Sequence, residues 1–199
     1  MTVTRRRPAL KRIRWRSWLA WGLLVLQPYS LVRAEPSVPS LLTPLNLVGY
    51  ASHATPPDFS GRTVDARKVS TTELRGKVVL VNFWASWCLE CRSEMSVLER
   101  LHRELGPQGF AVVGVNTREP TETARRYATE LSLTFPLVLD EDGKIGALYG
   151  VVGLPTTFLV GRDGRAVARA IGPREWGGAP ARALFDALLA EPAPRPTAQ

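Results

Sequence analysis

The 199-residue chain is poor in the residues that build metal centres and covalent frameworks: two cysteines, two histidines and two methionines. Two cysteines cannot staple a disulfide scaffold, and a hydrophobic fraction of 45% removes the need for one. Acidic residues are absent before Glu35, while Arg5, Arg6, Arg7, Lys11, Arg12, Arg14, Arg16 and Arg33 lie there. The other 18 of the 26 basic residues balance the 18 acidic ones, so the formal charge of +8 belongs to the N-terminus. Nucleic-acid binding needs a basic face on a folded domain, and that separation excludes it. An apolar run of about 20 residues, the length of a comfortable membrane span, is also missing. No internal repeat replaces these signals.

What is present at the N-terminus is an export address over residues 1–34. Seven basic residues precede Ser17, the apolar stretch Trp18 to Leu26 follows, and Val32-Arg33-Ala34 supplies small residues at −3 and −1. This order predicts a signal peptide cleaved after Ala34. The alternative is an uncleaved membrane anchor, with Trp15, Trp18, Trp21 and Tyr29 at the interface. Both place the remainder outside the cytoplasm. Residues 35–56 carry Pro36, Pro39, Pro44 and Pro56 without periodicity and read as a Pro-rich linker. A domain is expected over 57–191, and a disordered tail over 192–199.

Within the domain, the apolar run Val78 to Phe83 reads as a strand buried on both faces. From Cys91, apolar residues Met95, Leu98, Leu101 and Leu105 recur at helical spacing until Gly106-Pro107. Phe110 to Val115 reads as a second buried strand, followed by a helix opening at Pro120 with Ala124, Tyr127, Ala128 and Leu131 on one face. Strand and helix in alternation imply parallel pairing and an α/β fold. Leu137–Leu139 is a third strand and Ile145–Tyr149 a short helix. Thr156–Val160 and Ala166–Ile171 flank a hairpin turn at Asp163-Gly164, and Ala181, Leu184, Phe185 and Leu188 mark a final helix.

Both cysteines, Cys88 and Cys91, fall where the first buried strand turns into its helix. At a helix N-terminus unpaired N–H groups and the positive end of the dipole stabilise a thiolate, which makes Cys88 the expected nucleophile. Cys91, one turn later and shielded, is placed to resolve a mixed disulfide. A purely structural bridge over two residues would remove little chain entropy. A zinc or copper site would have only His53, His102 and Met95 to draw on. Haem attachment needs histidine where Arg92 stands. A peroxide-reducing cysteine of the peroxiredoxin type is disfavoured by Ala85 and Val81, where threonine and proline would be expected.

The stretch from Leu74 through Trp84-Ala-Ser-Trp-Cys88, with Arg92, Glu94 and Met95 after it, resembles the TlpA-like family of extracytoplasmic thioredoxin-fold proteins. Gly153-Leu-Pro-Thr-Thr-Phe-Leu159 followed by Asp163-Gly164 is the second matching block, and together they cover about residues 57 to 190. The resemblance implies a single-domain thioredoxin-like fold, a central mixed β-sheet flanked by helices. It also implies a cis peptide before Pro155, with the Leu154 backbone pairing to a substrate strand. Trp84 and Trp87 read as shielding the site and contacting substrate, with plain packing as the equal alternative. Glu94 matches an acidic residue that assists proton transfer in some relatives. Its alternative is a solvated partner for an arginine.

Three positions depart from the family pattern. Glu90 and Ser96 stand where proline is usual, and Asn82 stands where cytosolic thioredoxins carry a buried aspartate. An N–H restored at Glu90 is expected to donate to the Cys88 thiolate, outweigh the repulsion of the Glu90 carboxylate and make the couple a milder reductant.

The implied activity is a thiol-disulfide oxidoreductase, mainly a reductase, needing no cofactor and no metal. Its implied partners are disulfide-bearing exported proteins such as apo-cytochrome c or a copper-site assembly protein, and a membrane electron donor. The protein is expected to act as a monomer. The competing class is a periplasmic copper-binding chaperone that uses the same sulfurs without turnover.

Overall fold

The computed structural model describes residues 37–51 and 54–193. The export segment 1–34, His53 and the tail beyond Ala193 lie outside the described residues. Thirteen helices and strands follow in order: α1 (Val38–Leu42), β1 (Val48–Gly49), β2 (Ser60–Arg62), β3 (Lys68–Ser70), β4 (Val78–Trp84), α2 (Leu89–Leu105), β5 (Phe110–Thr117), α3 (Thr121–Glu130), β6 (Leu137–Asp140), α4 (Lys144–Leu148), β7 (Thr156–Val160), β8 (Ala166–Ile171) and α5 (Ala179–Ala190).

All seven residues of β4 are buried, as a strand covered on both faces must be. It lies between β5, parallel to it, and β7, antiparallel to it, in a six-stranded sheet of order β1-β8-β7-β4-β5-β6. Strand alternation divides its side chains between two cores. Val78, Leu80 and Trp84 join Met95 and Leu98 of α2 and Leu184 and Phe185 of α5 on one face. Val79, Val81 and Phe83 meet Val113, Val138, Tyr149 and Phe158 on the other. The fold is the expected α/β architecture, a mixed central sheet with helices on its faces in one domain. Gly164, at φ 79°, makes the β7–β8 turn where the Asp-Gly pair calls for a positive φ.

The segment expected to be a linker differs. Residues 38–49 form α1, a 3-10 turn over Thr43–Leu45 and strand β1, and they bury Leu42 and Leu45 in the same core as α5. β1 extends the sheet by pairing with β8, Val48 opposite Arg169 and Gly49 opposite Ala168. Pro39 and Pro44, which read as linker punctuation, instead occupy first-turn positions of two short helical turns, where a missing N–H costs nothing. The small β2–β3 hairpin was also not legible, because Ser60-Gly-Arg62 offers no apolar alternation.

Candidate functional site

β4 carries the chain to Trp84, and a tight turn through Ala85, Ser86 and Trp87 delivers Cys88 to the N-cap of α2. Cys88 adopts an extended backbone (φ −84°, ψ 106°), and its Sγ accepts from the N–H of Cys91 at 3.2 Å. The two sulfurs form a disulfide, with Cα atoms 5.3 Å apart. Both cysteines are buried, Cys91 completely. Their flanks are not: Trp87 is 69% and Leu89 80% exposed. On the neighbouring strand the Leu154–Pro155 peptide is cis. The register Phe83 opposite Thr156 sets that peptide beside the end of β4 from which the cysteine turn departs. Val152, just before it, is among the most exposed apolar side chains.

The turn is anchored by a residue the sequence did not single out. Glu119, buried in the loop after β5, accepts from the N–H of Ser86 at 2.7 Å, from Ser86 Oγ and from Asn116 Nδ2 at 2.7 Å. Its only sequence signal is its place: a polar residue at the carboxyl end of a parallel strand, level with the motif.

Glu94 lies one turn beyond Cys91 on the same helix face and is buried. Its Oε1 accepts from the main-chain N–H of Arg174 at 2.6 Å. Among the described residues its Oε2 has no hydrogen-bond partner, and neither do Asn82 Oδ1 and Trp176 Nε1, whose side chains act on the same carboxyl. Burial pushes its pKa up to about 7, against the lowering effect of the Arg174 N–H. The alternative of a solvated arginine partner therefore does not hold. Asn82 instead gives its Nδ2 to Thr157 Oγ1 at 3.0 Å, tying β4 to β7.

One other expectation needs correction. Trp84 is fully buried and stacks on Tyr127, ring centroids 4.9 Å apart, so it belongs to the core and not to a contact surface. The N–H reaching Cys88 Sγ is that of Cys91, the third helical residue, where an N-cap acceptor finds its donor. That bond belongs to the disulfide form, so the route expected from the Glu90 N–H to the Cys88 thiolate stays an expectation beside its exposed carboxylate.

Of the residues weighed as metal ligands, Met95 and His102 are described and do not gather at the cysteines. Met95 is sealed in the core, and His102 packs against Phe135 eleven residues past Cys91, about 16 Å along the helix. Burial lowers the His102 pKa. Among the described residues no group of three or more His, Cys, Asp or Glu is placed to hold a metal ion.

Residues 53–169 match the family model described as the AhpC/TSA family. A thiol-disulfide oxidoreductase ResA of Geobacillus thermodenitrificans is 38% identical over 112 residues, covering 56% of this chain and 64% of the relative, which is less than two thirds of its length. The thioredoxin-like protein YneN of Bacillus subtilis is 39% identical over 120 residues, 59% of this chain and 69% of the relative. Among solved structures, a thiol:disulfide interchange protein of the thioredoxin family from Chlorobium tepidum superposes with a TM-score of 0.62 at 28% identity, covering 70% of this chain and 99% of that one. These likenesses bear out the TlpA-like resemblance and the thioredoxin-like fold.

Proposed function

The chain belongs to the AhpC/TSA family, and from that premise we propose that it is an extracytoplasmic thiol-disulfide oxidoreductase, working chiefly as a reductase of disulfides in exported proteins. The observation that carries this reading is the Cys88–Cys91 pair at the N-terminus of α2. Both sulfurs sit where a helix end favours a thiolate and where a single bond between them can store two electrons' worth of oxidation.

In the reductive direction the Cys88 thiolate attacks one sulfur of a substrate disulfide, and the other sulfur leaves as a thiolate that takes up a proton. The mixed disulfide on Cys88 is then attacked by Cys91 once its thiol proton has gone to Glu94. The second substrate thiolate departs, and the Cys88–Cys91 disulfide remains. Two electrons have passed to the substrate, and a membrane-borne dithiol donor outside the cytoplasm returns them. Trp87, exposed beside Cys88, and the Leu154–Pro155 backbone at the start of β7 receive the substrate segment. Apo-cytochrome c and copper-site assembly proteins are the substrate classes proposed. Export by residues 1–34 supplies the location.

The test is reduction of insulin by the dithiol form, with trapping by single variants. Cys91→Ser removes the resolving thiol and should accumulate mixed disulfides on Cys88. Trapping by Cys88→Ser instead would reverse the assignment, while one copper ion per reduced chain with no insulin reduction would favour a metal carrier.

A further inference from the structure

The turn that follows β8 joins three parts of the molecule that are distant in sequence. Gly172, at φ 85°, donates its N–H to the Pro155 carbonyl at 2.8 Å. Two residues on, the Arg174 N–H donates to Glu94 Oε1 at 2.6 Å. The Arg174 guanidinium folds back over its own turn, Nη1 donating to the carbonyls of Ile171 (3.3 Å), Gly172 (3.1 Å) and Pro173 (2.7 Å). Its Nη2 reaches the carbonyl of Asn46 at 3.0 Å. Asn46, at φ 50°, is the corner between the 3-10 turn that buries Leu45 and the β1 strand. A planar fork of five donors can bridge carbonyls of two segments at once, which a lysine ammonium cannot do in the same geometry. Asn46 and Arg174 both lie outside residues 53–169, the part matched by the family model, so the clasp is a feature of this chain's flanks.

We propose that Arg174 is a positioning residue for the redox site: its guanidinium clasps the N-terminal segment to the Gly172–Arg174 turn and thereby holds one main-chain N–H on Glu94 and another on the cis-proline loop. Docking of residues 38–49 then sets how firmly the carboxyl beside Cys91 is held. This deepens the proposed function, since it gives the N-terminal segment a say in proton handling. The groups that act on Glu94 are Arg174 from this turn, the Trp176 indole beyond it and the Asn82 amide of β4; Glu90, four residues earlier on its own helix, points to solvent. A donated N–H favours the ionised carboxylate, so slackening the clasp disfavours ionisation.

The experiment follows the Glu94 side-chain carboxyl by carbon NMR through a pH titration of the oxidised protein, with amide hydrogen exchange at Gly172 and Arg174. Arg174→Gln should move the Glu94 midpoint up by about one pH unit, the size of one charge-assisted hydrogen bond lost or slackened. It should also speed exchange at both amides by at least about tenfold. Leu45→Ser, which undocks the segment from the other side, should shift both readouts the same way. Asn46→Gly should leave both unchanged, because it keeps the carbonyl and the positive φ. A Glu94 midpoint and amide exchange in Arg174→Gln that coincide with those of the unaltered protein would overturn the proposal. A protein that reduces insulin equally well without Cys88 would instead overturn the redox reading and leave these NMR readouts standing.

Discussion

Two carboxylates four residues apart on α2 live in opposite surroundings, and the difference is measurable. Glu94 keeps its proton to about pH 7 in the fold, while in the unfolded chain it ionises near its ordinary 4.5. Below pH 4.5 both states hold the proton. As the pH rises from there the unfolded chain releases it first, so stability should fall between about 4.5 and 7, by up to about 3 kcal/mol. Denaturant unfolding of Glu94→Gln across that window should lack this decline. Equal pH dependence in the two proteins would remove the buried-acid account. Glu90, in solvent at the helix start, is a weaker influence. Glu90→Gln should lower the Cys88 pKa slightly and shift the couple toward the oxidising side by no more than about 20 mV, as expected for an exposed charge about 4 Å from a thiolate. An unchanged or more reducing couple on equilibration with glutathione would mean that the Glu90 carboxylate does not act on the thiolate, since the variant keeps the backbone N–H. The cysteines, Pro155 and the proximity of Glu94 were legible because each sits inside a short motif. Arg174 and Trp176 were not, because they reach the site from about 80 residues away by way of a turn with no pattern of its own.

At the scale of elements, the site is a strand end, a turn and a helix start, and the turn is the part that needs outside support. Glu119 provides it through Ser86 and Asn116. Glu119→Ala leaves the Ser86 and Asn116 donors unpaired and should cost about 1–3 kcal/mol of stability while slowing reduction of a protein disulfide. Glu119→Gln can keep all three contacts, its oxygen accepting from the Ser86 N–H and Asn116 and its amide donating to Ser86 Oγ, so its rate should stay close to that of the unaltered protein. If the two variants are equally slow, the negative charge and not the geometry is what matters. The long helices were legible because hydrophobic periodicity over ten or more residues has one physical reading, and the central strands because unbroken runs of β-formers are bounded by turn signals. Short elements lack that redundancy: α1 is five residues and β1 two, and their identity comes from the surface they land on.

For the molecule as a whole, the N-terminal segment is structural material. Leu42 and Leu45 fill the core beside Ala181, Leu184 and Phe185, and Leu45→Ala should cost about 2–4 kcal/mol by cavity formation. Equilibrium unfolding would show it, and a change below about 0.5 kcal/mol would mean the segment is only laid on the surface.

The same segment disposes of a hazard. A sheet ends in two rows of unpaired N–H and C=O groups, and each row is a template on which a stray extended chain can add. Here β8 is capped by the two residues of β1, too short to template a partner, and the Tyr50 N–H bonds the Val167 carbonyl beyond them. At the opposite side β6 is four residues long and is closed by the Thr63–Val138 bridge and by the Val64 N–H on the Leu137 carbonyl. A protein whose proposed clients are extended, freshly reduced polypeptides works among sequences primed to co-aggregate with any open sheet. With both margins of the sheet covered among the described residues, the landing place proposed for such a chain is the cis-proline loop, and on that proposal contact with this sheet would end in disulfide exchange and release in place of an amyloid-like seed.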